Sequence, residues 1–214
     1  MTVEVNQMTN IGLLGVASVG KTSILRLFVL YVKKNLIQNI EGGKSISIIK
    51  TDFSGEATLN PQNPESDKET KTIYPNKVIF KEDDTGVNHT LFGPGGDRTE
   101  AVVRMGIITI SRIAKQIVTV FAADKPIKDQ FDFYNDIRYF PKEIYVCINK
   151  SDLVNDNDRE KVINEMEEKI KSFFNKKNIK IKGFYRTCAE SNEKFKEYND
   201  NAIKMLLDIA LSNK

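Results

Sequence analysis

The stretch that most constrains this chain is "GVASVGKTS", residues 15–23, set between the apolar runs 11–16 and 24–32. Glycine lets a backbone turn where other residues are strained, so a sharp turn joins two segments that both want burial. The run before it has strand length, and residues 21–38 after it have helical periodicity. The same alternation continues down the chain. Strand-length apolar runs fall at 10–16, 76–81, 87–92, 116–122, 143–148 and 180–187, most of them rich in Val and Ile. Helical patterns fall at 21–38, 98–114, 128–140, 157–176 and 192–211. Near-continuous apolar strands alternating with helices predict an α/β fold, a mostly parallel sheet with helices on both faces. "KEDDTG" separates the strands near 78 and 90, and its Asp-Thr-Gly turn makes them an antiparallel hairpin. The expectation is therefore a six-stranded mixed sheet in three layers, one domain over 1–214.

Residues 39–70 do not fit this plan. They hold "EGG", then "SISII", which could supply an extra strand, then a polar stretch with Pro61 and Pro64. They read as an insertion ending in a mobile loop. With 32 basic and 29 acidic residues the net charge is +3, which does not argue for a nucleic-acid partner. The two cysteines, Cys147 and Cys188, lie in apolar or motif segments and fit a reducing cytoplasm better than a disulfide framework. No apolar run reaches the roughly 20 residues of a membrane span, and no signal peptide or lipid-anchor motif is expected at either end.

Gly15-Val16-Ala17-Ser18-Val19-Gly20-Lys21-Thr22 matches G-x-x-x-x-G-K-[ST] in a strand–loop–helix context. Backbone N–H groups of Ala17, Ser18, Val19, Gly20 and Ser23 can curl around an anion, and the helix that starts at Lys21 directs its positive end there. Lys21 brings a point charge to outer phosphates. The Thr22 hydroxyl suits Mg²⁺, a cation that takes oxygen ligands. The motif implies a nucleoside triphosphate without naming the base. The base follows from "CINKSD", residues 147–152, at a strand end. The Asp152 carboxylate can accept from guanine N1–H and its exocyclic amine, a donor pair adenine lacks. Asn149 can brace the loop, the Lys150 stem can cover the base, and backbone N–H groups of Cys188 and Ala189 in "RTCAES" can reach the guanine oxygen.

These motifs resemble, over nearly the whole chain, those of small Ras-like GTPases of the translation-factor-related class. "NKSD" is similar to their N-K-x-D and "TCA" to their T-S-A. "HTLFGPGGDR" is similar to the D-x-x-G motif in its prokaryotic MglA-like form. The resemblance implies the P-loop GTPase fold, GTP/GDP and Mg²⁺ as cofactors, and slow hydrolysis of GTP to GDP and phosphate. It implies switch segments around Thr72 and Gly96, and a roadblock-type regulatory partner. On this alignment Gly96 meets the γ-phosphate, Asp97 falls where the water-orienting glutamine usually sits, and Gly93 replaces the Mg²⁺-linked aspartate. Ala17 and Ser18 replace two glycines of Ras-type loops. "ETKTIYPN" offers Thr70 and Thr72 as the switch threonine and metal ligand, and the spacing favours Thr72.

Two other functions compete. The missing aspartate and glutamine support a GTP-binding scaffold with little or no hydrolysis. A P-loop ATPase would use Asp124, at the end of "VTVFAAD", on the metal, against which Asn149 and Asp152 speak. Arg98 and Arg104 could act as arginine fingers in cis, although surface ion pairs are the commoner outcome for such residues. His89 reads as structural, and "DQFDFYNDIRYF" as a core-facing helix.

Overall fold

The computed structural model describes residues 8–40, 45–58, 70–137 and 139–211. Nine strands run in chain order: β1 (Asn10–Leu14), β2 (Ile46–Asp52), β3 (Glu56–Thr58), β4 (Thr70–Thr72), β5 (Asn76–Glu82), β6 (Asn88–Gly93), β7 (Gln116–Ala122), β8 (Glu143–Asn149) and β9 (Lys180–Arg186). Five α-helices join them: α1 (Lys21–Lys33), α2 (Ala101–Ile113), α3 (Ile127–Asn135), α4 (Arg159–Asn175) and α5 (Lys196–Leu211).

The central sheet has the order β2-β5-β6-β1-β7-β8-β9. From β6 to β9 every neighbouring pair is parallel, and β2, β5 and β6 pair antiparallel. The sheet is therefore seven-stranded, one more than the sequence predicts. The extra strand is "SISII", inside the segment read as an insertion. Ile46 and Ile48 pack against the α1 side of the core while Ile49 is exposed, the half-buried pattern of an edge strand. The polar stretch 54–71, read as a mobile loop, instead carries strand residues at both ends, where β3 pairs antiparallel with β4 through backbone hydrogen bonds that its polar composition does not signal; its middle, 59–69, lies outside the described residues.

The apolar strands have the buried positions that the alternation predicts. Leu13, Val118, Val120, Val146, Cys147 and Ile148 are inaccessible to solvent, because a helix layer covers each face. On one face α1 and α5 bring Phe28, Ile203 and Leu206 onto Val78, Phe80 and Leu91. On the other, α2, α3 and α4 bring Ile110, Tyr134 and Phe174 onto Leu14, Phe121 and Val146. Phe28 and Phe80 meet with ring centroids 4.9 Å apart, a contact whose loss on Phe→Ala costs about 3–5 kcal/mol.

Helix ends differ from the periodicity where local chemistry intervenes. α1 stops at Lys33, five residues early, because Asn35 takes a left-handed φ of 54°, which closes a helix. α3 ends at Asn135, and the following segment leads to Pro141, before which helical backbone is disfavoured. Among the described residues no helix is long and apolar enough to cross a membrane.

Candidate functional site

Because β6, β1, β7, β8 and β9 are parallel, their C-terminal ends open on one edge, and β1 lies where the connections diverge to either side. In such sheets the crevice outside the strand ends is where ligands bind. The motifs lie there: residues 15–20 after β1, Gly93–Gly96 from the last residue of β6 onward, Asp124–Lys125 after β7, Asn149–Asp152 from the last residue of β8 onward, and Thr187–Ala189 after β9.

The loop after β1 closes on itself. Lys21 Nζ donates to the carbonyl oxygens of Gly15 at 2.7 Å and Val16 at 2.8 Å. Its acceptors are loop carbonyls rather than carboxylates, so its charge is not neutralised by them. Burial, and then the nearby charge of Lys125, push its pKa down to about 7. Gly20 has a φ of +91°, and a Cβ there would fall 2.2 Å from Asn149 Nδ2, so only glycine fits. No side chain caps α1 and no acidic residue stands in its first turn. Its first N–H groups, including that of Ser23, are thus left for an external anion. Ala17 and Ser18 are exposed, and Ser18 holds a φ of 59°, strained for a residue with a side chain.

The loop after β6 abuts this one through glycines. A Cβ on Gly96 would sit 2.2 Å from Ala17 N, and one on Gly95 would sit 2.1 Å from Thr72 O. Thr72 in turn brings its hydroxyl 3.4 Å from that of Thr22. The Thr72 side chain thus meets the loop motif. Asn76 Nδ2, which the sequence analysis missed, donates to Thr22 Oγ1 at 2.8 Å and to Glu56 Oε1 at 3.2 Å. The two hydroxyls and the Glu56 carboxylate are oxygen ligands of the kind a hard cation such as Mg²⁺ takes, with the Asn76 amide nitrogen bonded between Thr22 and Glu56 and its Oδ1 left without a partner. Asp97 Oδ1 accepts from Thr99 N at 3.0 Å and Thr99 Oγ1 at 2.6 Å, so that oxygen is turned into the start of α2. Arg98 pairs with Asp136 at 2.7 Å, and Arg104 donates to the Arg98 and Thr99 carbonyls. In this arrangement both arginines are structural.

The loops after β8 and β9 are braced by buried polar side chains. Asn149 Nδ2 donates to Val19 O at 2.9 Å, and Asn149 Oδ1 accepts from Thr187 Oγ1 at 3.0 Å. One buried amide therefore ties three loops together. Lys150, at φ 62°, reaches Asp124 at 3.0 Å, and Lys125 Nζ donates to Ala17 O at 3.1 Å. Asp124 thus faces the Lys150 loop. Asp152 sits in a 3-10 turn, Ser151–Leu153, partly exposed at the crevice. Burial first, then the adjacent Asp152, pushes the Cys188 thiol up to about 12. The Cys147 thiol is likewise pushed up to about 12 by burial. Neither is a reactive nucleophile.

Three further supports were missed from sequence. Arg159 on α4 donates to the carbonyls of Ser151 at 2.7 Å and Val154 at 2.9 Å. Asn199 on α5 donates to those of Cys188 at 2.6 Å and Glu190 at 2.8 Å. Gln130 on α3 exchanges hydrogen bonds with Ala122 N and O. The legible signal was a polar residue at a buried position of an apolar helix face, visible for Gln130 and Asn199.

No protein-family model and no curated protein sequence matches the chain. Solved structures do. A bacterial selenocysteine-specific elongation factor, EF-Sec, aligns with TM-score 0.55 and 16% identity, over 94% of this chain and 29% of that one. The translation elongation factor SelB from Methanococcus maripaludis, determined in complex with the GTP analogue GppNHp, aligns with TM-score 0.52 and 17% identity, over 94% of this chain and 34% of that one. The chain thus spans about a third or less of the length of either factor. At such identity the shared property is the fold: a mixed α/β sheet, mostly parallel and covered by helices, of the kind found in these translation elongation factors.

Proposed function

We propose that the chain is a guanine-nucleotide-binding switch of the P-loop GTPase class, MglA-like in its third motif, which hydrolyses GTP slowly. The observation that carries this is Asn149, whose buried amide joins the phosphate-loop carbonyl of Val19 to Thr187. It makes one crevice of a phosphate-type loop and the N-K-x-D-type loop. The GTP analogue held by the structurally similar SelB supports the same ligand class.

In this reading Lys21 and the N–H groups of residues 17–23 hold the phosphates. Asp152 accepts from the guanine edge, the Lys150 stem covers the base, and the N–H groups of Cys188 and Ala189 face its oxygen. Mg²⁺ would be held by Thr22 and Thr72, and it neutralises phosphate charge when bound. Water attacks the γ-phosphate in line. Gly96 N–H and Lys21 stabilise the developing charge, and Asp97 accepts from the water once its oxygen leaves Thr99. A roadblock-type partner would order the Thr72 and Gly96 segments in the cytoplasm. The scaffold reading is favoured by one observation, the Asp97–Thr99 contact, which turns one carboxylate oxygen away from the crevice.

Titration calorimetry with GDP and ADP tests the ligand. GDP is expected to bind at least ~10²-fold more tightly, and Asp152→Asn should weaken GDP and favour xanthosine nucleotides. Equal affinities would overturn this function.

A further inference from the structure

Resting on the nucleotide-switch reading, we propose that Glu56, on the β3–β4 hairpin, is the anionic acceptor for the water shell of a divalent cation at Thr22. Three observations carry this. First, the Glu56 side chain is only 8% exposed although its ion-pair partner, Arg26 at 2.8 Å, is 59% exposed. An ion pair with so exposed a partner contributes little, so it does not account for a buried carboxylate beside the crevice. Second, Asn76 is fully buried, and its Nδ2 serves both Thr22 Oγ1 and Glu56 Oε1. A carboxylate only accepts, so the amide must turn its nitrogen toward Glu56, which leaves Asn76 Oδ1 without a partner. Such atoms in native proteins require an explanation. Water molecules around a bound cation donate outward, which is what an orphaned oxygen and a carboxylate both accept.

Third, Gly93 stands directly across from Asn76 in the β5–β6 ladder. A Cβ at Gly93 would lie 3.1 Å from Leu25 Cδ1, so the face of β6 toward α1 is already filled by Leu25. A side chain there would first have to displace the Leu25 methyl. The acidic function has instead been brought in from β3, through Asn76 on the neighbouring strand. The pairing also gives the hairpin a reason to be where it is: Glu56 opposes Thr72 in the β3–β4 register, so one small sheet carries both the switch hydroxyl and the carboxylate.

The test uses the full chain and Mn²⁺ as the probe, titrated by electron paramagnetic resonance into the GDP complex. GDP affinity in EDTA is measured in parallel. Glu56→Gln is expected to weaken Mn²⁺ by tenfold or more and to leave GDP affinity in EDTA unchanged. Arg26→Met removes the ion pair and keeps the carboxylate, and is expected to change Mn²⁺ affinity by less than about twofold. Unchanged Mn²⁺ affinity in Glu56→Gln would overturn the proposal. So would equal losses in the two variants, since Glu56 would then only fasten the hairpin to α1. Both are read against wild-type melting curves. If the wild-type chain binds no GDP at all, the nucleotide reading falls, and this one with it. GDP binding with Mn²⁺ indifferent to Glu56 sinks this proposal alone.

Discussion

The two flanks of the crevice are built on different principles. On the β7–β9 side, loops are held by buried side-chain amides and one guanidinium: Gln130, Asn149, Asn199 and Arg159, each bonded to main-chain atoms at hydrogen-bond distance. On the β5–β6 side, Gly95 and Gly96 press bare backbone against Thr72 and the phosphate-type loop, the buried Asn76 amide bonds to the side chains of Thr22 and Glu56 rather than to main chain, and an antiparallel hairpin and a two-stranded sheet carry the rest. Buried polar networks cost much to open, because each broken bond leaves a desolvated group behind. Glycine contacts leave little behind when they part. The β7–β9 flank is thus the more firmly fastened of the two, and under the proposed function it would be the template for the base while the Thr72–Gly96 flank would be the part that responds to the ligand.

The largest test of this contrast is Lys21→Ala, which removes the charge shared by both flanks. Calorimetry should show at least ~10³-fold weaker GDP binding, the size expected when one partner of a buried charge pair is truncated. The wild type should also show a pH dependence that the variant lacks. Lys21 titrates near 7 in the free protein, and a bound polyphosphate raises that value by opposing the charge. Below pH 7 the lysine is charged in both states and affinity is flat. Above pH 7 binding must take up a proton, so affinity falls with rising pH, by up to about tenfold per unit. An affinity that rises over pH 7–9 would show that the lysine does not meet an anion.

A smaller effect is expected from Asn149→Ala on the template flank. It leaves Val19 O without its side-chain donor and the Thr187 hydroxyl with only the Cys147 Sγ contact at 3.2 Å, and should cost about 1–3 kcal/mol in denaturant-induced unfolding. A loss under about 0.5 kcal/mol, the range of ordinary surface substitutions, would mean the flank is not held as described. The smallest effect is expected at Asp97. Single-turnover hydrolysis by the isolated chain should run at or below ~10⁻³ s⁻¹. With its Oδ1 engaged by Thr99, Asp97→Ala should change that rate by less than about tenfold. Rapid turnover that Asp97→Ala abolishes would make Asp97 a competent catalytic residue and the responsive flank already complete.

The parts of this architecture that the sequence discloses are those written in short-range patterns. The parallel strands are legible because helices on both faces make them continuously apolar, and the 15–22 loop because glycine, lysine and threonine occur at fixed spacing. β2 was harder to count, since "SISII" is short and lies between polar segments, and only its pairing with β5 makes it part of the main sheet. Glu56 and Asn76 were invisible as site residues. They stand 30 and 54 positions from their partners Arg26 and Thr22, and no periodicity links positions that meet only through sheet register. Asn35 shows the reverse: its left-handed backbone ends α1 at a point where the side-chain pattern alone would carry the helix on.

Tyr134 has a mechanical consequence of its own. Its hydroxyl lies 2.8 Å from Leu14 O and 2.9 Å from Val120 O, and a phenol has one hydrogen to give. The two carbonyls, on adjacent strands, must share it. Leu14 is the last residue of β1, the hinge point from which the glycine loop departs, and Gln130 on the same helix grips the end of β7. α3 is therefore riveted to the roots of two crevice loops at once. A displacement of α3 could not leave both loop roots in place without breaking these hydrogen bonds.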